Sequence, residues 1–205
     1  MNGKSFVRVE APAKVNLYLH VTGLRDDGFH ELDSLVVFAD VHDLITCKKG
    51  SGLTLKLSGP ESASLRKASG TNIVLRAAKA LADKVEPKKV TGVEIYLEKF
   101  LPVAAGIGGG SADAAATLKA LCEFWDVNLS QREISELAQF LGADVAVCVE
   151  GRSSFFSGIG DKIDPINNFP KLSMLLVNPG IELLTSKIFK ARKGSYTQMA
   201  RLRRI

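Results

Sequence analysis

Cysteine is scarce in this chain of 205 residues: Cys47, Cys122 and Cys148, odd in number and far apart. With no Cys-x-x-Cys spacing and no histidine pattern beside them they build neither a disulfide framework nor a zinc site, and reduced, packed thiols are expected. Long apolar runs are missing too. The longest last only a few residues, against the roughly 18 to 20 that cross a bilayer, and no apolar signal region follows Met1-Asn-Gly-Lys-Ser. Cytoplasm is therefore the expected location, with no membrane partner. Helix–turn–helix spacing, zinc fingers and aromatic RNA motifs are absent as well, which leaves no basis for a nucleic-acid partner.

The formal charge of +5 does not restore that basis, because it is unevenly spread. Residues 187–205 hold seven of the 27 basic side chains and no acidic one, leaving 20 basic against 22 acidic in residues 1–186. The body is mildly acidic, and the positive balance belongs to a short terminal stretch. Hydrophobic residues make up 46% of the chain and charged residues 24%, enough to bury a full core.

What the chain does have is a glycine run, Gly106-Ile-Gly108-Gly109-Gly110-Ser111, between alternating Val93-Glu-Ile95-Tyr-Leu97 and an alanine-rich helical stretch from Ala112 to Phe124. Glycines let a backbone approach an anion closely, so that N–H groups and a helix N-terminus converge on a polyphosphate. No Gly-Lys-Ser/Thr follows, and Ser111 stands where Gly-x-Gly-x-x-Gly needs its last glycine, so charge compensation must come from elsewhere. A plain surface turn is the alternative reading; strand before and helix after favour a nucleotide site. Ser111 is the expected helix N-cap, with Asp113 in the first turn facing the helix dipole.

Val15 to Val21 alternates as a strand, with Val15, Leu17, Leu19 and Val21 expected on the core face and Lys14, Asn16, Tyr18 and His20 on a face free for chemistry. Turn residues at Gly23 and Asp26-Asp27-Gly28 lead through Phe29-His30-Glu31 to an apolar run, Leu35–Ala39, which predicts a β-hairpin. Leu53–Leu57 reads as a strand and Ser58–Gly70 as a polar connection. Helices are predicted over Asn72–Val85 and from Ser130, where Glu133 completes a capping box, to Gly142. Ala143–Val149 reads as a small-residue turn bearing Asp144 that leads into an apolar segment, and Leu172–Val177 as a late strand. Irregular mixing of strands and helices indicates an α+β fold.

Three separated segments, Pro12-Ala-Lys14-Val-Asn16-Leu, Leu101-Pro-Val-Ala-Ala-Gly106-Ile-Gly-Gly-Gly110-Ser111-Ala and Leu141-Gly-Ala-Asp144-Val, resemble in order the motifs of the GHMP small-molecule kinases. Within that superfamily the Gly28-Phe29-His30 turn and about residues 5–190 are most similar to the branch acting on a cytidine diphosphate methylerythritol in the non-mevalonate isoprenoid pathway. The resemblance implies a GHMP-kinase-like N-terminal domain (ribosomal protein S5 domain 2-like) over 1–165. It further implies an incomplete start of the C-terminal α+β domain over 166–205, with a divergent basic tail. It also implies ATP and Mg²⁺, and phosphorylation of the acceptor's 2-hydroxyl.

Site roles follow from the same resemblance. Pro102, Val103, Ala104, Ala105, Gly106, Ile107, Gly108, Gly109, Gly110, Ser111 and Ala112 would cradle the triphosphate, with Ser111 reaching a phosphate or the metal. Asp144 would take the proton of the acceptor hydroxyl, and Lys14 would hold Asp144 and offset charge; an ammonium keeps a neighbouring carboxylate ionised. Asn16, Phe29, His30 and Phe189 would bind the acceptor, the rings meeting its cytosine.

The chain departs from the family in two places. The second glycine-rich motif of the family's C-terminal domain is absent and the likeness fades after about Phe189, which suggests a truncated member. Ala146 stands where the family usually has proline, which would loosen the turn that aims Asp144. A catalytically impaired nucleotide-binding remnant, or a kinase for another alcohol such as mevalonate or homoserine, are the competing expectations.

Overall fold

Two long strands, β1 (Phe6–Leu24) and β2 (His30–Lys49), pair as the expected antiparallel hairpin in the computed structural model, which describes residues 4–67 and 72–198. β2 is the axis of the sheet. β1 covers one of its edges; on the other, β5 (Ser154–Gly158) pairs with residues 32–36 and β4 (Val93–Glu98) with residues 44–49. β3 (Leu53–Ser58) runs parallel to β4, and β6 (Lys162–Pro165) antiparallel to β5. The mainly antiparallel sheet with helices against it is the α+β architecture expected.

Helices α2 (Ile73–Lys84), α3 (Gly109–Phe124), α4 (Gln131–Leu141) and α5 (Ala143–Glu150) join the sheet in one core. Ile45, Ile95 and Leu97 from the strands meet Val74, Leu81, Leu118 and Leu121 from the helices, all fully buried. α3 sits at the centre, between the sheet, α2 and α5. Its buried Ala112, Ala114, Ala115, Ala116 and Ala120 make this possible, since small side chains let neighbours approach on several sides at once. Asn72 caps α2 by accepting the Val74 N–H at 2.9 Å, and Ser130 with Glu133 forms the expected capping box on α4.

Several expectations are corrected. The alternation in β1 is real but its faces are reversed: Leu17 and Leu19 are 41% and 43% exposed whereas Lys14 is 3% exposed. Register shifts between Pro12 and Lys14 and between Asn16 and Tyr18 interrupt the period of two. The connection after Ser58 contains a helix, α1 (Ser62–Lys67). Residues 143–149 form helix α5 rather than a turn, and Ala146 is buried within it, where alanine suits the backbone without proline's fixed φ. Leu172–Val177 is no strand: among the described residues it pairs with none, and Leu175 and Val177 are 88% and 84% exposed. A strand needs a partner, and a short apolar run does not supply one. A short helix, α6 (Thr185–Ala191), follows; residues 199–205 of the basic stretch lie outside the described residues. Among the described residues no helix is long and apolar enough to cross a membrane.

Candidate active site

The glycine run begins α3 three residues earlier than expected. Gly108, with φ +66°, is the N-cap, Ser111 lies in the first turn, and Asp113 is buried one turn further in. Ser111 is thus not the cap, because a left-handed glycine turns the chain into the helix ahead of it. The first N–H groups of α3 consequently lack helical partners and open on a cleft of about 380 Å³. Its walls include residues 102–106 and 108–111, with Asn72 and Ile73 on one side and Asp144, Leu184 and Thr185 on another.

Two expected cradle residues do not line the cleft. Ile107 turns its carbonyl to the Lys14 N–H at 2.9 Å, and Ala112 is packed in the core. That backbone bond is what registers β1 against the glycine loop. The contact is close: a Cβ on Gly108 would lie 2.9 Å from Lys14 Cβ.

Lys14, though buried, is well partnered. Its Nζ lies 3.1 Å from Asp144 Oδ1 and donates to Asn16 Oδ1 at 3.0 Å, while Asn16 Nδ2 donates to Ser34 Oγ at 2.7 Å. Asp144, in the first turn of α5, keeps 44% of its side chain exposed. The result is a fixed ammonium holding one edge of a carboxylate whose remainder is open to the cleft, an arrangement able to accept a proton from a hydroxyl. Lys14, Asn16 and Asp144 are thereby brought together beside the glycine loop.

The aromatic group is only partly assembled. His30 stacks on Phe189 with ring centroids 5.1 Å apart and planes at 27°, whereas Phe29 stands 59% exposed at the hairpin tip. Between the tip and Lys14, the rings of Tyr18 and His20 lie 5.3 Å apart.

One feature went unforeseen. Lys99 Nζ, completely buried, donates to Asp43 Oδ2 at 2.5 Å and to Asp113 Oδ2 at 2.7 Å. Burial, moderated by Lys99 and reinforced by Asp43, pushes the Asp113 carboxyl up to about 7. Burial pulls Lys99 down, but the two carboxylates outweigh it and leave the ammonium above its ordinary range. The available signal was an isolated charge in an apolar setting: Asp113 interrupts a run of alanines. The three thiols are as inert as expected, with burial raising Cys47 and Cys148 to about 12 and Cys122 to about 11.

Residues 72–152, the stretch holding α2, the glycine loop, α3 and Asp144, match the family model described as the GHMP kinases N terminal domain. Over this stretch the chain is similar to the GHMP kinases. The chain is 49% identical over 187 residues to a 4-diphosphocytidyl-2-C-methyl-D-erythritol kinase of Rhodospirillum rubrum, covering 91% of itself and 60% of that relative. It is 47% identical to the enzyme of the same name from Paramagnetospirillum magneticum, over 92% of itself and 65% of the relative. A crystal structure of 4-(cytidine 5'-diphospho)-2C-methyl-D-erythritol kinase superposes with a TM-score of 0.63 at 36% identity, over 78% of this chain and 55% of that one. The chain therefore spans less than two thirds of the length of these relatives.

Proposed function

We propose that this chain is a GHMP kinase and transfers the γ-phosphoryl group of ATP to the 2-hydroxyl of 4-diphosphocytidyl-2-C-methyl-D-erythritol. The observation that carries the reading is Asp144, held by Lys14 at 3.1 Å, on the wall of a glycine-lined cleft. Relatives 45–50% identical that bear this activity in their names support the choice of acceptor over mevalonate or homoserine.

Phosphoryl transfer is mainly positioning and charge compensation. The N–H groups at the start of α3 hold the triphosphate. Asp144 takes the proton of the acceptor hydroxyl as its oxygen bonds the γ-phosphorus and the bond to the β-phosphate oxygen breaks, releasing ADP. Lys14 holds one edge of Asp144 and offsets the moving charge. Asn16, fixed between Lys14 and Ser34, orients the acceptor, and Phe29, His30 and Phe189 receive the pyrimidine. Among the described residues no group of three His, Cys, Asp or Glu side chains forms a cation site. That fits a Mg²⁺ carried mainly by nucleotide phosphates, as this ion commonly is, with Ser111 as one protein oxygen.

Residues 1–165, ending with β6, form the nucleotide-binding unit, and residues 166–205 begin a second unit that contributes Leu184, Thr185 and Phe189 around it. The test is an acceptor panel. Incubation with ATP and the cytidine substrate, mevalonate or homoserine, read by product mass, should give a phosphorylated cytidine product alone. Equal or preferential use of another alcohol overturns the assignment.

A further inference from the structure

The glycine loop rests on a buried ionic bridge that the proposed chemistry does not use. Asp43, Lys99 and Asp113 come from β2, the end of β4 and α3, and all three side chains are almost completely buried. Asp43 uses both of its oxygens. Oδ2 receives Lys99 Nζ, and Oδ1 accepts the N–H groups of Phe100 at 2.6 Å and Leu101 at 2.8 Å. Those are the last two N–H groups before Pro102, where the loop begins.

Lys99 is clamped through its backbone as well. Its N–H donates to the Ser58 carbonyl at 2.8 Å and its carbonyl accepts the Glu61 N–H at 3.1 Å. Gly59, at φ +88°, approaches so closely that a Cβ there would lie 2.5 Å from the Lys99 oxygen. At the other end of the side chain, the ammonium sits under the first residue of α3: a Cβ on Gly109 would lie 3.1 Å from Lys99 Nζ. The two ends of the glycine loop are thus tied to one charged side chain from below.

Buried ion triads contribute little net stability, because desolvation cancels most of the attraction, and well-packed apolar residues often do as well. What such a triad supplies is direction: each hydrogen bond fixes an angle as well as a distance. We propose that Asp43, Lys99 and Asp113 are positioning residues that set where the glycine loop leaves β4 and where α3 begins, and so aim the N–H groups of the cradle. The proposal rests on reading the cleft as the nucleotide site.

Asp43→Asn tests it. An amide has one acceptor oxygen, and its NH2 cannot face the Lys99 ammonium, so the oxygen turns to Lys99 and the Phe100 and Leu101 N–H groups lose their acceptor. Amide hydrogen exchange of the full chain should accelerate about tenfold at Phe100 and Leu101 while protection in α2 and the centre of β4 stays unchanged. Calorimetry should show ATP bound about tenfold more weakly. Asp43→Glu, which keeps the charge but moves it by one methylene, should show the same local acceleration and serves where the Asn variant does not fold. Unchanged exchange at Phe100 and Leu101, or acceleration spread evenly over β4 and α2, overturns the proposal. The exchange comparison needs no nucleotide, so failure of the wild-type chain to bind ATP would end the nucleotide reading while the triad is still decided by exchange.

Discussion

Lys14 Nζ stands 3.1 Å from Asp144 Oδ1, and the backbone N–H of the same lysine is bonded to Ile107 in the glycine loop. One residue therefore sets the distance between the carboxylate and the glycine loop. Replacing it with an apolar side chain of similar length separates charge from shape. Lys14→Met is expected to lower kcat by about 10²–10³-fold with a smaller change in the apparent affinity for ATP. Steady-state kinetics at saturating acceptor check this; a loss confined to KM contradicts it.

Gly108 is where the backbone cannot accept a side chain. Its φ of +66° is left-handed, and a Cβ would press on Lys14 at 2.9 Å. Gly108→Ala is expected to destabilise the protein by about 1–3 kcal/mol and to weaken ATP binding. Gly28 has positive φ but open space around it, so Gly28→Ala should carry only the conformational cost. Urea unfolding midpoints of the two variants provide the comparison.

Asp113 links stability to pH. With its carboxyl raised from 3.8 to about 7, the folded chain holds a proton that the unfolded chain releases, so this group's contribution to stability falls as pH rises between those values and is flat above them. Asp113→Asn should remove this component. Thermal midpoints of both proteins between about pH 4 and 8 should show the wild type losing ground to the variant as pH rises. Parallel curves contradict the prediction.

Under the proposed roles, the His30–Phe189 stack bears on acceptor binding and not on nucleotide binding. Phe189→Ala is expected to raise the KM for the cytidine substrate about fivefold, in keeping with the ~1 kcal/mol of an aromatic pair, and to leave ATP affinity unchanged. Titration of each ligand separately checks it. An equal effect on ATP would place the stack in the nucleotide site.

The hairpin, β3, β4, α2 and the capped start of α4 were legible because each is specified locally, by alternation, turn residues or a capping box. The meeting of Lys14, Asn16 and Asp144 was legible only through the order of motifs along the chain. What stayed hidden depends on partners distant in sequence. Leu172–Val177 has the apolar content of a strand but, among the described residues, pairs with no other strand. The faces of β1 turn on register shifts that no single strand reveals. The Asp43–Lys99–Asp113 bridge joins residues up to 70 positions apart on three elements, and its burial appears only when the helix crosses the sheet.

Phosphoryl transfer to the cytidine acceptor, followed by product mass and by the position of the new phosphate, tests the central claim most directly, with Asp144→Asn measured alongside. A product phosphorylated on the 2-hydroxyl is expected from the wild-type chain. A rate reduced by about 10²–10⁴-fold is expected in the variant, with ATP still bound. A folded wild-type chain that binds ATP and forms no product, or a variant as fast as the wild type, would contradict it.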